Sequence, residues 1–158
     1  ALIRELADAA GSRRLIGGQM EDVLAEKKSD ATPEELEFIH LNKTAAMIEA
    51  ALVMGGLLGG ERPGPTLTQL RRAGRHLGLA FQIIDDILDA TADTAALGKT
   101  AGKDLTADKT TYPKLLGLEE SRQRADALVA EAKAALAPWH ASAAPLLALA
   151  DYITSRDR

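Results

Sequence analysis

The stretch FQIIDDILDATAD, from Phe81 to Asp93, sets four aspartates and one glutamine into an apolar run. At about 100° per residue, the polar side chains of such a helix share one narrow stripe, and the apolar side chains spread over the opposite half turn. The apolar half predicts a helix that packs into a core. The polar stripe, which faces the other way, consists of Gln82, Asp85, Asp86, Asp89 and Asp93.

A solvated helix face is the plainer interpretation of this stripe, but solvated faces usually mix Glu with Lys four residues apart. Here Asp85 precedes Asp89 and Asp89 precedes Asp93, so that like charges repel each other one turn apart. Asp is also a poor helix former in helix interiors. The stripe therefore predicts a divalent cation that neutralises it. Magnesium suits it, because Mg²⁺ takes one or two carboxylates and completes its shell with water and substrate phosphates.

Composition bounds the remaining possibilities. The 158 residues, 46% of them hydrophobic, suit one domain or part of a larger one. A net charge of −4 provides no basic surface for nucleic acid or anionic membranes. The chain has no cysteine, which excludes disulfides and fits a reducing compartment, so we expect a cytoplasmic protein. The longest apolar run, Ala45 to Gly59, is interrupted by Glu49 and predicts a buried helix rather than a membrane span.

Helical periodicity runs through most of the chain, and no strand-like alternation occurs. ALIRELADAA begins within a helical pattern, so we expect further chain upstream, with part of the active machinery in it. Thr32, Pro33 and Glu35 form a start signal for a helix that runs to about Leu58. A helix is also predicted over Arg13 to Lys28, and the acidic helix is predicted from a Thr66/Gln69 capping box to about Ala92. A loop over Thr94 to Thr111 follows, and then a short helical turn that stops at Gly117. The last two predicted helices cover Leu118 to Ala137 and Pro145 to Ser155. The fold class is therefore all-α.

Two polar residues precede the apolar stretch Ala45 to Leu58 and have more than one interpretation. Lys43 is either a surface lysine that extends past apolar neighbours or a phosphate ligand. His40 is interpreted as structural, because no second histidine or cysteine lies at ligand spacing. The lysines of the predicted loop are either solvated or share the charge of a diphosphate beside the acidic stripe.

Five segments in order resemble one known family: GGQMED (Gly17 to Asp22), IHLNKTAAMIEAA (Ile39 to Ala51), DDILD (Asp85 to Asp89), LGKTAGKD (Leu97 to Asp104) and KTTYPKLLG (Lys109 to Gly117). Together they resemble the C-terminal half of the trans-isoprenyl diphosphate synthases, the polyprenyl synthetase family. The resemblance covers nearly the whole chain. It is strongest to geranylgeranyl diphosphate synthases, with bacterial farnesyl diphosphate synthases next.

The resemblance implies a helical bundle around a central cavity, in which residues 1–158 form the C-terminal portion of a single all-α domain, and a homodimer. It implies a Mg²⁺-dependent prenyltransferase that ionises an allylic diphosphate to a carbocation. The double bond of isopentenyl diphosphate attacks this carbocation, and a proton is then lost. The implied metal ligands are Asp22, Asp85, Asp86 and Asp89. The implied diphosphate contacts are Lys43, Thr44, Gln82, Lys99 and Lys109. Within these sets, Asp85, Asp86, Lys43 and Lys99 are the implied catalytic residues.

The family's first aspartate-rich motif has no counterpart in these residues. We therefore expect an incomplete fragment that does not complete catalysis alone. Two alternatives remain open at this point, a terpene cyclase and a non-catalytic partner subunit of a prenyl synthase. The paired LGKTAGKD and KTTYPKLLG segments argue against the cyclase. Product chain length stays open.

Overall fold

The computed structural model describes residues 1–26, 28, 30–97 and 110–156, with the backbone alone for residues 92–97. Within these ranges the chain is helical and contains no strand, which confirms the all-α prediction. The elements in order are α1 (Leu2–Ala10), α2 (Leu15–Ala25), α3 (Pro33–His40), a π-helical turn (Leu41–Ala45), α4 (Ala46–Leu58), α5 (Pro65–Leu97), α6 (Tyr112–Leu116), α7 (Leu118–Leu136), a 3₁₀ segment (Ala137–Ala143) and α8 (Ala144–Ser155).

One of the two predicted capping boxes is present. Thr32 Oγ1 accepts from the Glu35 backbone N–H at 3.3 Å, and a Glu35 carboxylate oxygen accepts from the Thr32 N–H at 3.0 Å. The predicted box at Thr66 is wrong, because α5 begins at Pro65 and places Thr66 inside its first turn. Proline is well suited to the first helical position, since its missing N–H has no helical partner there.

The helix α5 is the central element of the bundle, packed against α4 on one side and α7 on another. Its predicted apolar half is buried, with Ile83 and Ile84 fully enclosed beside Val129 of α7. At Gly78, an added Cβ would lie 2.5 Å from the Cα of Ala45. Only glycine fits there, so this residue lets α5 approach the end of the π-helical turn closely.

The acidic helix extends beyond its predicted end. Its backbone stays helical to Leu97, past the expected boundary near Ala92 and into the predicted loop. The side chain of Asp93 and all of residues 98–109 lie outside the described residues. The predictions for Lys99 and Lys109 therefore concern residues that the structure does not describe.

A buried carboxylate ties four helical segments together. Glu49 of α4 is 3% exposed, accepts two hydrogen bonds from Arg14 at 3.0 and 2.8 Å, and accepts a third from Arg71 of α5 at 2.8 Å. Arg71 also donates to Glu5 of α1 at 2.8 Å. Burial acts to raise the pKa of Glu49, but the hydrogen bonds from the two arginines outweigh it and hold that pKa below its usual value.

The helices α1 and α2 expose apolar side chains on their outer side. Ile3 is 86% exposed, and the others are exposed by 41% to 57%. The outer apolar face, as we call it, consists of Ile3 and Leu6 on α1 and Ile16, Met20 and Leu24 on α2. On each helix these side chains are three or four residues apart and share one face, and exposed apolar patches mark contact sites.

One helical stretch, Pro33–Leu58, is long and apolar enough to cross a membrane by length and composition alone. It is longer than the predicted apolar run from Ala45 to Gly59, because α3, the π-helical turn and α4 are continuous. Its buried residues include Ala46, Val53 and the ion-paired Glu49. A buried core helix passes the same test, so this stretch is weak support for a membrane span.

Candidate functional site

A cavity of about 350 Å³ lies against the polar stripe of α5. Residues from α2, α3, the π-helical turn and α5 surround it. They are Asp22, His40, Lys43, Gln82, Asp85, Asp86 and Asp89. All of these except His40 are residues for which the sequence and the family resemblance predict metal or diphosphate contacts, so the fold brings those predicted residues to one cavity.

The helix α2 reaches the cavity through a close backbone contact. At Gly18, an added Cβ would lie 2.4 Å from the backbone nitrogen of Lys43 and 2.9 Å from the Asn42 carbonyl carbon. The absence of a side chain lets α2 rest directly on the π-helical turn. Asp22, one turn further along α2, is thereby placed beside Lys43, whose Nζ donates to Asp22 Oδ2 at 2.5 Å.

The π-helical turn orients the two predicted diphosphate contacts that it carries. A π-turn inserts one extra residue into the helical repeat, and such turns are frequent at functional sites. Here it contains Lys43, which lines the cavity, and Thr44, whose hydroxyl donates to Gln82 Oε1 at 2.8 Å. The sequence did not predict this turn, because its residues have ordinary helical propensity.

Asp85 has partners on both carboxylate oxygens. Gln82 Nε2 donates to Asp85 Oδ2 at 3.0 Å, so Gln82 links Thr44 to the acidic stripe. The guanidinium of Arg156, just beyond α8, donates to Asp85 Oδ1 and to the Phe81 carbonyl, the latter at 3.1 Å. The same guanidinium lies over the Phe81 ring, 4.2 Å from its centroid. Arg156 therefore neutralises Asp85 in this structure.

Asp86 is buried rather than exposed on the stripe. Its Oδ2 accepts from the backbone N–H of Tyr112 at 3.0 Å and from His40 Nε2 at 3.1 Å. Asp86 is 4% exposed and His40 3%. Helical periodicity placed Asp86 on the polar stripe, away from the core, whereas the structure buries it beside the core. The contact with Asp86 fits the structural interpretation of His40. The His40 ring also stacks on the Tyr112 ring, with 5.6 Å between the ring centroids.

The donor set agrees with the chemistry of magnesium. Four carboxylates and no sulfur line the cavity, and hard divalent cations prefer oxygen donors. Among the side chains that the structure describes, no group of three carboxylates, imidazoles or thiolates is close enough to enclose an ion. A complete protein cage is not required, because Mg²⁺ uses one or two carboxylates and fills its octahedron with water and phosphate oxygens.

Sequence reasoning missed two contributors. His40 precedes Lys43 by three residues, a spacing that places both on one helix face and could have indicated a shared site. Arg156 follows the last helix and has no periodic or motif signal. Its contact with Asp85 joins residues 71 apart, which only the tertiary fold can bring together.

Comparison with known proteins identifies the family to which the chain belongs. The sequence model of the polyprenyl synthetase family matches residues 2–138. The chain is 50% identical to a chloroplastic geranylgeranyl pyrophosphate synthase of Catharanthus roseus, over 99% of this chain and 44% of that protein. It is 49% identical to a dimethylallyltranstransferase of Fischerella ambigua, over 98% of this chain and 44% of that protein.

A solved structure extends the comparison to the fold. The FPP/GFPP synthase of Zymomonas mobilis matches with a TM-score of 0.81 and 33% identity, over 96% of this chain and 49% of that one. The chain thus spans less than half the length of the curated relatives that it matches. The family match covers most of the chain, and on that ground the chain belongs to the polyprenyl synthetase family.

Proposed function

We propose that this chain is part of a short-chain prenyltransferase, which condenses isopentenyl diphosphate with an allylic diphosphate to give geranylgeranyl or farnesyl diphosphate. The observation that carries the proposal is the cavity against α5, where Asp85 and Asp89 lie together with Lys43 and Gln82. Membership in the polyprenyl synthetase family supports it. The named relatives are synthases and transferases of prenyl diphosphates.

The cavity residues divide into two roles. Asp22, Asp85, Asp86 and Asp89 offer carboxylate oxygens to Mg²⁺, which when bound would neutralise the departing diphosphate. Lys43 donates to that diphosphate after exchanging Asp22 for a phosphate oxygen. This exchange needs only a short move, because Lys43 and Asp22 both line the cavity. The Gln82 amide has a second N–H for the same group, and Thr44 contributes its hydroxyl proton there only after releasing Gln82 Oε1. We also propose diphosphate contacts for Lys99 and Lys109, on the family resemblance alone.

Catalysis in this proposal consists of charge stabilisation. As the allylic carbon–oxygen bond breaks, negative charge grows on the diphosphate, and fixed cationic donors lower the barrier because they need little reorganisation. The hydrogen bond from Thr44 holds the Gln82 amide, and the bond from Gln82 in turn orients Asp85. No nucleophilic side chain is needed, since the double bond of isopentenyl diphosphate is the nucleophile.

We further propose that this chain alone does not turn over substrate, because a second set of carboxylates must face α5 across the cavity. The chain spans less than half of its curated relatives, which supports this part of the proposal. The expected assay uses labelled isopentenyl diphosphate, geranyl diphosphate and Mg²⁺ with the 158-residue chain. Robust prenyl transfer by this chain would refute the proposal that it is inactive alone, and would leave its membership in the polyprenyl synthetase family unaffected.

A homodimer is the proposed assembly, and the outer apolar face of α1 and α2 supports it. Replacing Met20, which is 57% exposed, with glutamate would place a charge in that face without disturbing the core. Analytical ultracentrifugation should show a dimer for the parent chain and a monomer for the variant.

The proposed cytoplasmic location rests on composition alone, and the Catharanthus roseus relative is named as chloroplastic.

Binding of the diphosphate group tests the function without requiring turnover. Isothermal titration calorimetry with inorganic diphosphate should show binding in the presence of Mg²⁺ and little in its absence. Asp85→Ala combined with Asp89→Ala should abolish the Mg²⁺-dependent part. Asp126→Ala is the matched control, since Asp126 is an exposed aspartate on α7 that does not line the cavity. Equal binding by all three proteins would contradict the proposed site.

A further inference from the structure

The pair formed by His40 and Asp86 is the most enclosed polar contact at the cavity. His40 is 3% exposed and Asp86 4%, and both line the cavity. Because an ionised carboxylate can only accept, the contact of 3.1 Å is a donation from the His40 Nε2–H to Asp86 Oδ2. Burying two such groups is favourable only when each is satisfied by the other or by further partners.

The second donor to Asp86 comes from a different element. The backbone N–H at the start of α6, that of Tyr112, donates to the same Oδ2 at 3.0 Å. The His40 ring lies nearly parallel to the Tyr112 ring, at an interplanar angle of 25°. The imidazole is thus fixed by stacking on one side while its nitrogen holds the carboxylate.

Both donors converge on one oxygen and leave the other available. Within the described part of the chain, no donor contacts Asp86 Oδ1, although Asp86 lines the cavity. Two bonds to Oδ2 fix the rotation of the carboxylate and so the direction of Oδ1. Asp85 differs, because Gln82 and the cationic Arg156 each donate to one of its oxygens, and a bound cation would compete with Arg156 there.

We propose that His40 is a positioning residue, which holds Asp86 so that it presents Oδ1 alone to a divalent cation in the cavity. The proposal rests on the proposed function, since it assumes that a cation binds there. His40 itself does not contact the cation. Hydrogen-bond partners of this kind orient metal-ligating carboxylates, and their loss typically weakens metal affinity by about 10- to 100-fold.

Two substitutions separate the hydrogen bond from the stacking. His40→Phe keeps a ring against Tyr112 and removes the donor. His40→Gln removes the ring and keeps an N–H at nearly the same distance from the backbone, since the glutamine amide nitrogen is as many bonds from Cα as Nε2 is. A residue with only a packing role should tolerate phenylalanine better than glutamine. A positioning residue should show the reverse order.

The experiment uses the 158-residue chain with Mn²⁺ and inorganic diphosphate, and follows free Mn²⁺ by electron paramagnetic resonance. We expect His40→Phe to weaken Mn²⁺ binding by about tenfold or more and His40→Gln to stay close to the parent chain. In an Asp86→Asn background, His40→Phe should cause no further loss. His40→Leu is a second donor-free variant, and circular dichroism checks that each protein is folded.

The outcomes distinguish this proposal from the proposed function. Unchanged affinity in both donor-free variants, or a larger loss in His40→Gln than in His40→Phe, would overturn the positioning role and leave the cation site intact. A further loss on adding His40→Phe to Asp86→Asn would show that His40 acts through another residue. If the parent chain itself binds no Mn²⁺ with diphosphate, both the positioning role and the proposed metal site fail.

Discussion

Glu49 offers the sharpest test of how this bundle is held together. The change Glu49→Gln removes a negative charge that accepts three hydrogen bonds from Arg14 and Arg71. Removing one partner of a buried ion pair costs about 3–5 kcal/mol. The cost should be smaller here, because the Arg14 and Arg71 side chains are 27% and 41% exposed and Arg71 keeps Glu5. We expect Glu49→Gln to lower the free energy of unfolding by about 2–3 kcal/mol at pH 7, which is the scale of one or two charge-assisted hydrogen bonds.

The stability that Glu49→Gln removes should also depend on pH, and it should be larger at neutral than at acidic pH. The pKa of Glu49 is lowered in the folded chain from its usual 4.5, so the folded state favours the ionised form. Its contribution to stability is therefore present above pH 4.5 and is lost as pH falls through the lower, folded pKa. The difference between parent and variant should be full at pH 7 and should shrink as the pH is lowered below 4.5.

Urea denaturation followed by circular dichroism measures this difference at each pH. Glu119→Gln is the matched control, because Glu119 is an exposed glutamate in the first turn of α7. We expect the control to change the free energy of unfolding by less than about 0.5 kcal/mol. A difference for Glu49→Gln that is below that value, or that stays constant from pH 7 to pH 3, would refute the assigned role of the cluster.

Three further predictions concern the cavity. Gly18→Ala should lower the free energy of unfolding by about 1–3 kcal/mol in urea denaturation, because the alanine Cβ would overlap the backbone of Lys43. A gain in stability, as expected for alanine in an unobstructed helix, would contradict the close contact. Arg156→Gln should strengthen Mn²⁺ binding in the absence of diphosphate by removing the cation that occupies Asp85, which calorimetry detects; weaker binding would mean that Arg156 supports the site. In a complete enzyme, Asp85→Ala should lower kcat by orders of magnitude, and a near-normal rate would refute its role.

The local signals in the sequence predicted the fold well. The period of α5 placed Ile83 and Ile84 in the core and Asp85 at the cavity, because helical geometry alone fixes which side chains share a face. The capping box at Thr32 was confirmed, since its chemistry involves only neighbouring residues. The box at Thr66 failed because Pro65 provides an earlier start for the same helix.

The contacts between distant residues could not be predicted in this way. Asp86 belongs to the polar stripe by periodicity, yet His40, which lies 46 residues away, and the Tyr112 backbone enclose it. Arg156 reaches Asp85 only because α8 packs beside α5. Pattern and resemblance thus identified six of the seven residues that line the cavity, all except His40, whereas the burial and pairing of each carboxylate depend on tertiary packing.

The proposed function requires that the carboxylates of α5 hold a divalent cation against a diphosphate. Crystals of the chain grown with Mn²⁺ and inorganic diphosphate test it most directly, because anomalous scattering locates the metal without assumptions about its ligands. We expect an anomalous peak in the cavity from a Mn²⁺ ion bonded to a carboxylate oxygen of Asp85 or Asp89 and to a diphosphate oxygen, with Arg156 displaced from Asp85. Manganese bound elsewhere, or a cavity without metal and with Arg156 still on Asp85, would contradict it.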